Sequence, residues 1–116
     1  VVKEILDKNK LFKKIEPEIL KPLPFSKETI AVIRNAMRET VLSGTAQIFK
    51  DLPVQVGVKT GTAEVIKGAT VNSLFTAFAP YENPEIAITI LIEGATNQQG
   101  LAVKSAYNTL KWYFSR

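Results

Sequence analysis

The sequence predicts an α+β fold of about three antiparallel strands, with one helix before them and a C-terminal helix packed on the sheet. Three observations carry this reading. Apolar residues recur at helical spacing over residues 26–44, the period falls to two from Val54 onward, and a helical stripe returns after Gly100.

Residues 1–25 read as an irregular lead-in, with Pro17, Pro22 and Pro24 set among Lys and Glu, and with Val1–Ile5 as a short strand or edge. Ser26 is placed to cap a helix with Glu28 in its first turn. Ile30, Ile33, Met37 and Val41 form the helix stripe, and Gly44 ends it.

The sheet is expected over residues 54–93. Val54, Val56 and Val58 fall on one side of its first strand, with Gln55, Gly57, Lys59 and Gly61 on the other, so Lys59 points away from the valine face. A second strand is expected from about Val71 to Ala79 and a third from Ile86 to Ile92. The short loop Pro80-Tyr81-Glu82-Asn83-Pro84 suits an antiparallel hairpin and makes these two strands neighbours. Over 100–115, Val103, Tyr107, Leu110 and Phe114 line one stripe of a helix, with Lys104 and Lys111 elsewhere. The chain holds no internal repeat and no low-complexity tract.

With 116 residues, 46% hydrophobic and 22% charged, the chain has the composition of one globular domain or part of one. At that length, loss of a neighbouring subdomain would leave much apolar surface uncovered, so self-association is expected of the chain alone. The net charge of +4 favours anionic partners. The basic residues of Lys8–Lys14 are broken by Asn9, Leu11 and Phe12, the pattern of a solvated amphipathic face and not of a nucleic-acid site.

The absence of Cys and His excludes a disulfide, a Ser-His-Asp triad, a Cys-His pair and an ordinary zinc site within these residues. Chemistry here falls to Ser, Thr, Lys, Tyr or carboxylates, and no cofactor is implied. No apolar run approaches the roughly twenty residues that span a bilayer, and the N-terminus lacks the pattern of a signal peptide. Beginning at Val1-Val2, the sequence reads as an excised piece of a longer polypeptide whose remainder could carry an anchor.

The informative stretch is Lys59-Thr60-Gly61-Thr62-Ala63-Glu64, on or at the end of the first strand. An ammonium, a threonine hydroxyl and a glycine on one strand can cradle a peptide carboxylate: the ammonium brings charge, the hydroxyl a directional donor, and the glycine room for a ligand backbone. On an edge strand, free backbone groups could also hold an extended peptide by strand addition. Three residues alone also fit an ordinary strand with a solvated lysine.

The wider context resembles a known family. Lys59 to Glu64, then Leu74-Phe75-Thr76-Ala77-Phe78-Ala79-Pro80-Tyr81 with Asn83-Pro84, then Ile86-Ala87-Ile88 leading to Leu91-Ile92-Glu93-Gly94, is similar in order and spacing to the end of the transpeptidase domain in class B penicillin-binding proteins. Arg34-Asn35-Ala36-Met37-Arg38 and Gly44-Thr45-Ala46 resemble the helix that precedes this strand in the family. The Thr76–Pro84 phrase most resembles the elongation type, penicillin-binding protein 2. The resemblance covers residues from about 29 to 114.

That resemblance implies a portion of the β-lactamase and penicillin-binding transpeptidase fold. It also implies serine acyl transfer on peptidoglycan stem peptides ending in D-alanyl-D-alanine, with β-lactams trapping the serine. Lys59 would polarise the site and attract the substrate carboxylate, and the Thr60 and Thr62 hydroxyls would bind it. The Thr62 backbone N–H would supply half of an oxyanion hole, and Gly61 would keep the strand accessible. Implied partners are the stem peptide, β-lactams and the upstream half of the same domain. The implied location is the periplasmic or extracytoplasmic face of the membrane.

The departures bear on activity. The family also needs S-x-x-K and S-x-N. None of Ser26, Ser43, Ser73, Ser105 and Ser115 has Lys three residues on or Asn two residues on, so this chain is expected to be catalytically silent alone. The Glu64–Val71 connection is also shorter than in many relatives. Rival readings are a serine β-lactamase or β-lactam sensor of the same fold, and a non-catalytic peptide-binding module. Glu82, Glu85 and Glu93 read as solvated, and Trp112-Tyr113-Phe114 as part core and part surface.

Overall fold

The computed structural model describes residues 4–8, 10–14, 16, 18, 21–96 and 100–116. In order they form β1 (Glu4–Asp7), β2 (Lys10–Lys14), α1 (Lys27–Leu42), a 3-10 turn (Gln47–Asp51), β3 (Gly57–Ile66), β4 (Thr70–Ala79), β5 (Ile86–Thr96) and α2 (Leu101–Phe114). The α+β class is that expected from the sequence.

The lead-in differs from its expectation. β1 and β2 pair antiparallel, with Glu4 opposite Lys14 and Asp7 opposite Lys10, and Lys8 turns the chain in the left-handed region at φ 47°. The prolines that suggested irregular chain all follow β2 in sequence and leave its hydrogen bonding intact. Of the strand expected over Val1–Ile5, Glu4 and Ile5 are in β1, and Val1–Lys3 lie outside the described residues.

Ser26 caps α1 as expected, its hydroxyl accepting from the Thr29 N–H at 3.2 Å. At the other end the Ser43 and Gly44 N–H groups both donate to the Glu39 carbonyl. A side chain at Gly44 would meet the Thr40 backbone at 2.9 Å, so glycine is what lets the chain leave the helix this closely. The α1 stripe is only partly covered. Val41 is fully buried, whereas Ile33 is 46% exposed, because the helix reaches the core through its C-terminal end.

The main sheet has the order β3-β4-β5 and is antiparallel throughout. β3 begins at Gly57 and not at Val54: its partner β4 ends at Ala79, and the following Pro80 has no N–H for the ladder. One hydrogen bond beyond the turn, Tyr81 N–H to the Gln55 carbonyl at 2.8 Å, ties the preceding extended segment to the loop.

The core lies on the face of the sheet carrying Val56, Val58, Phe75 and Ala77, all nearly inaccessible. Phe49 of the 3-10 turn stacks on Phe75 at 5.1 Å and meets the Tyr107 ring edge-on at 5.7 Å, joining turn, sheet and α2. In α2 the deepest residues are Ala102, Ala106 and Leu110; Val103, Tyr107 and Phe114 pack half-buried beside them. The stripe is thus rotated from the one expected, because the two alanines admit close approach to the sheet. Trp112 is 65% exposed, while Tyr113 is half-buried.

α1 is fastened to the end of the sheet by Arg34. Its guanidinium donates to the Tyr81 carbonyl and lies 5.2 Å from the Phe78 ring centre and 5.4 Å from that of Tyr81. The Tyr81 hydroxyl donates to Asn35 Oδ1 at 2.7 Å, and Arg38 reaches the Val56 carbonyl at 3.3 Å.

Candidate functional site

Lys59, Thr60, Gly61 and Thr62 sit within β3, paired with Thr76, Phe75, Leu74 and Ser73 of β4. Among the described residues β3 pairs only with β4, so its other side is an open edge. Strand alternation divides the four residues between two faces. Lys59 and Gly61 share the face of Leu74 and Thr76, away from the buried valines; Thr60 and Thr62 share the face of Val58, Phe75 and α2.

The edge draws the two sets together. The Lys59 ammonium reaches round to donate to the Thr60 carbonyl oxygen. That oxygen is accessible to it from the open side of the strand, and in an antiparallel strand a residue's N–H and C=O point the same way, with alternate residues alike. The backbone groups of Thr62 therefore face the same edge as those of Thr60. The Lys59 side chain is exposed.

On the α2 side a cavity of about 260 Å³ opens beside this edge, between Thr45, Thr60, Thr62 and Ser73 on one wall and Gly100 and Val103 at the start of α2 on the other. Hydroxyls dominate its polar lining, and each can donate or accept. The α2 N-terminus has no side-chain cap, so its first N–H groups add positive potential on that wall. Ser73 is the one buried polar residue among the described positions, at 5% exposure. Gly61 also has a close-range role: a Cβ there would lie 3.3 Å from Leu74 Cβ, so glycine keeps the strand flat against its neighbour.

The sequence named Ser73 only among the serines without a nucleophile motif, placed the start of α2 without a role at the site, and marked Thr45 only as part of the Gly44-Thr45-Ala46 phrase. No local pattern marks them, since their meeting depends on how the α1 loop and α2 fold back on β3. Glu82, Glu85 and Glu93 are all exposed and stand apart from this cavity.

Comparison with known proteins agrees with the fold. The family model described as penicillin binding protein transpeptidase domain matches residues 1–111. The chain belongs to the penicillin-binding protein transpeptidase domain family. It is 32% identical over 74 residues to the peptidoglycan D,D-transpeptidase MrdA of Haemophilus influenzae, covering 64% of this chain and 11% of that protein. It is 26% identical to penicillin-binding protein 2A of Bacillus subtilis, over 96% of this chain and 19% of that protein. Among solved structures, the D,D-transpeptidase domain of a peptidoglycan glycosyltransferase from Eggerthella lenta superposes with a TM-score of 0.77 at 28% identity, over 93% of this chain and 25% of that one. The chain thus spans between about a tenth and a quarter of the length of these relatives.

Proposed function

We propose that these residues form one wall of the active site of a peptidoglycan D,D-transpeptidase that cross-links stem peptides by serine acyl transfer and is acylated by penicillin. The observation that carries this reading is the open edge of β3, where Thr60 and Thr62 line a hydroxyl-rich cavity and the Lys59 ammonium reaches the Thr60 carbonyl. A peptide ending in D-alanyl-D-alanine would lie along the edge. Its terminal carboxylate would accept from the Thr60 and Thr62 hydroxyls in the field of Lys59. The scissile carbonyl oxygen would accept from the Thr62 N–H as negative charge develops on it, a donor of the kind that contributes about 3 kcal/mol of transition-state stabilisation.

The nucleophile and its base come from elsewhere in the complete gene product, since this sequence contains neither S-x-x-K nor S-x-N. The rest of the domain is the partner we assign to the exposed apolar residues Phe25, Val32 and Ile33. Such an enzyme acts at the extracytoplasmic face of the membrane; within the described residues no helix is long and apolar enough to cross one.

The test is covalent labelling by a fluorescent penicillin of the complete gene product and of residues 1–116 alone. Label on the first and none on the second is expected. An unlabelled complete product would defeat the transpeptidase reading and favour a second one, a non-catalytic module that takes up an extended peptide at the same free strand edge. Rapid release of the label would point instead to a β-lactamase.

A further inference from the structure

We infer that Thr45 is a positioning residue for the Thr60 hydroxyl: it fixes the direction of that proton toward an anion in the cavity. The inference rests on the reading of Thr60 as a carboxylate donor.

The two hydroxyl oxygens lie 2.9 Å apart, although the residues are fifteen apart in sequence and belong to different elements. Both line the same cavity. Thr45 is held there by its neighbours. Gly44 is pressed against the Thr40 backbone, Ala46 is fully buried, and the Ala46 N–H donates to the Thr40 carbonyl at 3.1 Å. The Thr45 side chain is thus delivered to β3 by a loop with little freedom to withdraw it.

A threonine hydroxyl has one proton to give and lone pairs to accept with. Between two such groups either could be the donor. An anion in the cavity removes the ambiguity: if Thr60 donates its only proton to a carboxylate oxygen, the hydrogen bond to Thr45 can persist only with Thr45 as donor. Thr45 then keeps Thr60 from spending its proton on a neighbour and polarises its O–H bond, since hydrogen bonds in a chain strengthen one another. Without Thr45 the Thr60 rotor is free to turn away, at the cost of one ordinary hydrogen bond to the ligand.

The experiment compares native protein, Thr45→Val and Thr45→Ser in the complete gene product. It reads the second-order rate of acylation by benzylpenicillin and by its carboxyl methyl ester. Thr45→Val is expected to slow acylation by the acid about fivefold, the share of one hydrogen bond, while leaving the ester nearly unaffected. Thr45→Ser, which keeps the hydroxyl, is expected to restore the native rate. Equal losses on acid and ester would show a merely structural role and overturn the inference, as would a serine variant no faster than valine. If Thr45→Val does not fold, Thr45→Ala against Thr45→Ser reads the same ratio. A native protein that is not acylated would defeat the transpeptidase reading and this inference with it. Acylation slowed by Thr60→Val but untouched by Thr45→Val would sink the inference alone.

Discussion

The Phe78 ring occupies the space that any side chain at Gly57 would need: a Cβ there would lie 2.5 Å from ring atoms. The ring has little room to retreat, since Tyr81 stacks on it at 5.8 Å and Arg34 lies over it. Gly57→Ala is therefore expected to destabilise the protein by about 1–3 kcal/mol, the usual range for overpacking. A denaturant midpoint equal to the native value would show that the ring yields freely.

Arg34 joins α1 to the sheet through a hydrogen bond and two aromatic faces at once, a combination that depends on a planar guanidinium. Arg34→Lys keeps the charge and loses that geometry. We expect a loss of about 1–2 kcal/mol, with a larger share lost in Arg34→Ala. Equal stability of the lysine variant and the native protein in urea unfolding would mean that the contact is decorative.

Lys59 is expected to bear on activity and not on stability, because its side chain is exposed and meets only the neighbouring Thr60 carbonyl. Lys59→Ala in the complete gene product should slow penicillin acylation about 10- to 100-fold, as expected for losing a charge-assisted contact, with the melting temperature unchanged. An unaltered acylation rate would remove Lys59 from the site.

The Glu28 carboxyl is held below the usual carboxylate range by its own backbone N–H and by the Ser26 hydroxyl at the start of α1. Its folded pKa is depressed, so its stabilising contribution is complete above the unfolded-state pKa and is lost as pH falls through the folded value. The native protein and Glu28→Gln should differ in melting temperature at neutral pH and converge in acid. A difference that grew on acidification would contradict the assignment.

Val32 and Ile33 of α1 are 67% and 46% exposed, and Phe25, just before the helix, is 56% exposed. Residues 1–116 alone are expected to self-associate through such uncovered apolar residues, with sedimentation showing mass that rises with concentration. Val32→Lys with Ile33→Lys should return a monomer, and a native chain already monomeric across a wide concentration range would refute the expectation.

Periodicity was enough to place α1, the three strands and α2, because each element's apolar spacing is set by its own geometry: 3.6 residues per turn or alternation. The same alternation put Lys59 opposite the valine face, where the structure has it. It could not place the β1–β2 hairpin, whose turn rests on one residue at positive φ, nor the 3-10 turn that brings Phe49 to Phe75.

The sequence alone determined the family of this chain and the strand bearing Lys59, Thr60, Gly61 and Thr62, because both are written in local order and spacing. Tertiary structure decided which edge of the sheet stays open, which residues of other elements line the cavity beside it, and that Thr45 meets Thr60 across fifteen residues. The reason is that spacing fixes a side chain's direction relative to its own strand, whereas the company it keeps is fixed by how loop and helix fold back to bury Val41, Ala46, Ala102 and Ala106.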